Sequence, residues 1–374
     1  MLISLAAVAD PDRALEAFAR LLDEIPAEDL ALHPTALRLA GALDARRSLL
    51  DPPGDLGDRW HAVATVNAFE NGHLVDRAAG IVAQLRDAGV EPLAIKGLAV
   101  VPYYGSLRDR SIGDLDMVVP AEQLDVALST LAAAGFPCPT IPAVQRIGRH
   151  GAGMRSDDRV SFDLHWRLGR KQPITQRTLM HPGRDLWARG RDARSTGLDV
   201  PGLTVPSTAD LLCIIVLHDL RLSASPSGHR AADVHRLISA GDRIDWDVVE
   251  RTSASFGHRH RTSTWLRELA ASFGTEVPTS ILRPGRMDRR ERLSEWGERF
   301  ARERDPNPST TRMVLGWTAA VSAWDLRTAP RYAIGRLASS WDLASTSEVL
   351  REAVRHRRVA AGAIPPRPHR TSGD

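Results

Sequence analysis

The hydrophobic spacing of this chain changes period partway along, and that change confines any β-sheet to its middle. Residues 11 to 88 carry apolar side chains at helical spacing. Leu15, Phe18, Leu21 and Leu22 share a face after Pro11-Asp12-Arg13, and Leu74, Ile81, Val82 and Leu85 form a second long pattern that stops at Gly89. Asp51-Pro52-Pro53-Gly54-Asp55 reads as a loop between them, and the apolar residues after Met1 as the start of a helix. From Leu93 the period shortens. Leu93 to Lys96 predicts a short buried strand, Leu98 to Tyr104 a short helix ending near Gly105, and Asp114 to Val119 a second strand. Pro120, Leu124, Leu128, Leu131 and Gly135 predict a helix with a left-handed cap. Val160 to Trp166 alternates, with Phe162, Leu164 and Trp166 on one side and Ser161, Asp163, His165 and Arg167 on the other, which predicts a half-buried strand. From Thr208 the helical spacing returns and continues to about Ala360.

The expected fold is therefore α+β, a small mixed sheet flanked by helices. The expected parts are an N-terminal helical segment (1–75), the core (76–205), a C-terminal helical domain (206–361) and a disordered proline-rich tail (362–374). With 374 residues there is chain enough for several domains, and no apolar run approaches the roughly 18 residues of a membrane helix. The start of the chain lacks the basic n-region of a secretory signal, and Cys138 and Cys213 stand far apart with no CxxC spacing. A cytoplasmic location is the expectation. A net charge of +3, with acidic residues nearly matching basic ones, permits nucleic acid as a partner without implying it.

Chemistry concentrates where the period changes. Only two of the 49 basic residues are lysine, and one, Lys96, ends the first strand just before Gly97. A glycine where a strand gives way to a helix lets a phosphate approach backbone N–H groups, and a lysine there adds a point charge. Asp114 and Asp116, two apart on a strand, present paired carboxylates of the kind that hold Mg²⁺, and Asp163 is the candidate third. His165, on the same face as Asp163, is placed to orient a water or deprotonate an acceptor hydroxyl. Arg108, Arg110 and Ser111 precede the first carboxylate and are candidates to grip a triphosphate, with surface salt bridges the plainer reading. Asp-x-Asp alone is weak. Asp10-Pro11-Asp12 and Asp245-Trp246-Asp247 have the same spacing but read as helix starts. His258 and His260 read as a solvated face, His218 as a core histidine unless a family resemblance brings it to the cleft, and the tryptophans as packing.

The ordered set Lys96-Gly97, Arg110-Ser111-Ile112-Gly113-Asp114-Leu115-Asp116 and Asp163-Leu164-His165-Trp166 resembles the DNA polymerase beta-like nucleotidyltransferase superfamily. It is most similar to a poorly characterised bacterial branch with Lys-Gly in place of Gly-Ser. His218, Arg230, Asp233 and Asp245-Trp246 extend the likeness over about residues 60 to 260. The resemblance implies transfer of a nucleoside monophosphate from a nucleoside triphosphate, with pyrophosphate leaving, on Mg²⁺ (two ions) held by Asp114, Asp116 and Asp163. Gly105-Ser106 looks like the superfamily's Gly-Ser but lies too close to Asp114 for a helix between, and is assigned to a turn. Two alternatives stay open: a non-catalytic nucleotide-binding or interaction protein on the same fold, and a phosphotransferase using the same metal site. The acceptor is open among a small molecule, a peptide and RNA.

Overall fold

The structure is a computed structural model that describes residues 1–168, 184–220, 225–241, 243–283, 285–302, 314–315, 318, 326 and 329–360. The segment from Ile364 onward, expected as a tail, lies outside the described residues.

Among the described residues six strands make one mixed sheet: β1 (Leu93–Ala94), β2 (Leu115–Val118), β3 (Gly151–Arg155), β4 (Ser161–His165), β5 (Arg191–Asp192) and β6 (Thr204–Val205), in the order β3-β4-β2-β1-β6-β5. β2 and β4 run parallel, as do β1 and β6, and the other neighbours are antiparallel. Every residue of β2 is buried, as expected for a strand covered on both faces. The architecture is α+β, as the change of period predicts. β1 and β2 are shorter than expected because Lys96 turns out of the strand with φ of 56° and Asp114 precedes the ladder. β3 was not expected. Its Gly151 and Gly153 replace one half of the alternation, so only Ala152 and Met154 mark a buried face.

Helices precede the sheet. Leu2–Val8 packs on Pro11–Glu24 and on Gly228–Ser239. The buried stripe of Pro11–Glu24 is Ala14, Ala17, Phe18 and Leu21, with Leu15 and Leu22 exposed at 42% and 36%. The expected face is rotated by part of a turn, because two small alanines supply half of the stripe. Asp10 caps this helix by accepting from the Arg13 N–H, and Asp245 caps Trp246–Ser255 by accepting from Val248, so both competing Asp-x-Asp spacings are helix starts.

The 32-residue helix Leu56–Asp87 buries Trp60, Ala64, Asn67, Asn71, Leu74 and Ala78 along one stripe. Asn71, fully buried, donates through Nδ2 to the carbonyls of Leu107 and Arg110 (2.5 and 2.8 Å) and accepts from the Ile112 N–H at 2.8 Å. One amide thus fixes the loop that leads into β2, and it meets the backbone groups that a helix-facing loop would otherwise leave unpaired. Beyond the sheet, Thr208–Asp219 is buried on nearly all sides, followed by Gly228–Ser239, Trp246–Ser255 and Arg259–Phe273. No described helix is long and apolar enough to cross a membrane.

All of this belongs to one compact unit, Met1–Cys138 with Gly151–Arg292. A second unit comprises Pro139–His150 and the described residues from Leu293 onward. In it Ala143–Gly148 packs on Ala329–Trp341, where Gly148 meets Gly335 with no room for a β-carbon on either.

Candidate functional site

The parallel register of β2 and β4 sets Asp116 beside Asp163. Leu115, Met117, Phe162 and Leu164 are fully buried, while Asp116, Asp163 and His165 share the opposite side of the two strands. Oxygen and nitrogen atoms of these three side chains lie within 4.8 Å of one another. β3 makes the room for them. Gly153 pairs with Asp163 and Gly151 with His165, and a β-carbon on either glycine would stand 2.8 Å from Asp163 Oδ1 or 2.7 Å from His165 Nδ1. The two glycines that hide β3 in the sequence are spaced like the site residues they face.

Asp116 is the centre of the group, 1% exposed. Its Oδ1 lies 2.9 Å from His165 Nε2 and 2.5 Å from Lys96 Nζ. Burial alone would raise its pKa, but the hydrogen bond of His165 and the charge of Lys96 outweigh that and hold it below the usual carboxylate value. Its Oδ2 is buried with no hydrogen-bond partner among the described residues. An unmet buried carboxylate oxygen is costly, and two carboxylates with an imidazole close by are donors that a divalent cation would satisfy. The residues present fit such an ion.

Asp114 lines the same cleft, and its pKa is raised to about 6 by burial first and then by the charges of Asp116 and Asp163. A folded pKa above the unfolded value near 3.8 means the folded state binds the extra proton between those two values, so stability falls as pH rises through that window. Asp114→Asn should therefore raise the melting temperature of the metal-free protein at pH 7 to 8, and the gain should shrink toward zero by pH 4. Thermal melts in EDTA across that range check it.

The cleft has a volume of about 260 Å³. Lys96, Gly97, Arg110, Asp114, Asp116 and Asp163 all line it, so most of the expected residues come together. Arg108 and Ser111 are not among its lining residues: Arg108 donates to Asp44 at 2.8 Å, and Ser111 is tied to the Arg38 carbonyl through its N–H. His165 lies 6% exposed beneath Asp116 rather than on the cleft surface. Arg110 is buried and grips Asp233 with both arms, at 2.9 and 3.0 Å, while Tyr104 donates to the same carboxylate at 2.9 Å. Arg38 and His229 also line the cleft and carry no signal in the sequence; Arg230, Asp233 and His218 line it too, His218 as the family resemblance allows. They come from Pro34–Arg38, Thr208–Asp219 and Gly228–Ser239, helices far from the strands in sequence, so only tertiary packing reveals them.

A search of curated proteins gives no match to the chain. A family model described as "Uncharacterised nucleotidyltransferase" matches residues 30–273, which is more than half of the chain and contains every residue of the cleft. The chain belongs to that family of uncharacterised nucleotidyltransferases.

Proposed function

We propose that the protein is a Mg²⁺-dependent enzyme that transfers a nucleoside monophosphate from a nucleoside triphosphate to an acceptor hydroxyl, releasing pyrophosphate. The observation that carries this reading is the buried, unmet Oδ2 of Asp116 within reach of Asp163 and His165, in a cleft that Asp114 also lines. Asp114, Asp116 and Asp163 would hold the metal, whose chemistry when bound is to neutralise phosphate charge and favour in-line displacement. His165 is assigned a role through Asp116, its hydrogen bond orienting the carboxylate, in place of orienting a water or deprotonating the acceptor hydroxyl. Lys96 holds the other side of the same oxygen and lies at the mouth of the Gly97 turn, where its ammonium can follow a phosphate that enters.

In the transfer, the acceptor oxygen bonds to the α-phosphorus, the bond to the bridging oxygen breaks with its electrons going to pyrophosphate, and the acceptor proton passes to water. Incubation with Mg²⁺, cell extract and triphosphates labelled at either the α- or the γ-phosphate tests this. Label from the α-position should appear in the acceptor product, and label from the γ-position in pyrophosphate alone. Transfer from the γ-position would make the protein a phosphotransferase, and nucleotide binding without either product would make it a binding protein.

A further inference from the structure

The cationic wall of the cleft carries more charge than the fold uses. Lys96 is paired with Asp116 and Arg110 with Asp233. Arg38, at the end of Pro34–Arg38, has no hydrogen bond or ion pair to its guanidinium among the described residues. Arg230 approaches Asp219 at 3.6 Å, and that carboxylate already accepts from Ser227 and from Trp265. Burial lowers the pKa of Arg38, and the charges of Arg110 and Arg230 lower it further, against the opposing pull of Asp114 and Asp233. His229, beside them, is held neutral, its pKa pushed down to about 3 by burial and then by Arg110. Half-buried like charges held close together, one of them with no hydrogen bond or ion pair among the described residues, cost the fold energy, and a polyanion is what would lower that cost.

We propose that Arg38 and Arg230 form a polyphosphate site, taking the β- and γ-phosphates of the triphosphate and holding pyrophosphate as it leaves. The inference rests on the nucleotidyl-transfer reading and deepens it by naming where the leaving group sits. Guanidinium forks match phosphate oxygens and stay charged. Gly113 keeps the place open: a β-carbon there would come 3.1 Å from a terminal nitrogen of Arg38, so the guanidinium lies over the turn that leads into Asp114. The same cleft then has an acidic pole for the metal and a basic pole for the phosphates it accompanies. Arg108 and Arg110, the arginines nearest the aspartates in sequence, are instead committed to Asp44 and Asp233.

The test is calorimetric titration of the full chain with inorganic tripolyphosphate in EDTA, which needs neither metal nor turnover. Wild type should bind, and Arg38→Gln and Arg230→Gln should each weaken binding by about tenfold or more, the range expected for a charge-assisted hydrogen bond. The ligand-free melting temperature of Arg38→Gln should not fall, because no hydrogen bond or ion pair is lost and the relief of burial and of like charge offsets the lost attraction to Asp114 and Asp233; an arginine with a structural role would lower it. Should Arg38→Gln fail to fold, Arg38→Lys keeps the charge without the fork and should still bind tripolyphosphate more weakly than wild type. Wild-type affinity in the variants, or no binding by wild type, overturns the proposal. Failure of the labelling experiment with these results intact would remove nucleotidyl transfer and leave the polyphosphate site standing.

Discussion

Asp116→Asn should abolish divalent-ion binding and lower nucleotidyl transfer by on the order of 10³-fold, while leaving the protein folded. Loss of a group that only supports a metal ligand typically costs about 10 to 100-fold, and Asp116 is proposed as the ligand that the others surround. Asparagine keeps the shape and one acceptor oxygen, so the hydrogen-bonded frame with His165 survives. Lys96, 26% exposed, can turn its ammonium to water when the charge it faces is gone. The check is titration with Mn²⁺ followed by the signal of the free ion, beside circular dichroism and the α-label assay. Full ion binding by the asparagine variant would remove Asp116 from the metal site. Loss of transfer with ion binding intact would leave it a role in orienting the substrate alone.

The strands that carry chemistry were legible because their periodicity is local. Alternation around Asp163 and the apolar run after Asp114 each mark a face within a few residues, and the helix spacing that surrounds them bounds the sheet. What was not legible depends on partners far away. Asn71 falls on the buried stripe of a long helix, at helical spacing from Asn67, and a polar pair on such a stripe is the one sign that it has backbone to meet. Gly151 and Gly153 look like breaks in a pattern until β4 is laid beside them. Lys96 was legible as unusual but not in its conformation. A β-carbon at φ of 56° and ψ of −128° costs about 1–3 kcal/mol, and a glycine there would avoid it. The lysine stands there nonetheless, with its ammonium on Asp116, so strain and ion pair coincide at the centre of the cleft.

The largest effect on stability should come from Asp233. Asp233→Ala would leave the Arg110 guanidinium buried without its bidentate partner and Tyr104 without its acceptor, and breaking such a pair costs about 3–5 kcal/mol. Urea denaturation should show the midpoint falling accordingly. The pair also does more than hold charge: Asp233 is on Gly228–Ser239, and Arg110 is in the loop that Asn71 fixes ahead of β2. It therefore sets where Arg230 stands relative to Asp114, one helix turn and one short loop away from the pair. Replacing both members together, Arg110→Met with Asp233→Leu, removes the unpaired charge, and apolar replacement of a buried pair is often neutral or stabilising. The double variant should regain most of the lost stability yet bind tripolyphosphate more weakly than wild type, because packing alone does not fix the angle of the helix that carries Arg230. Recovery of both stability and binding would show that the pair supports the fold and leaves the cleft to be shaped by the surrounding core.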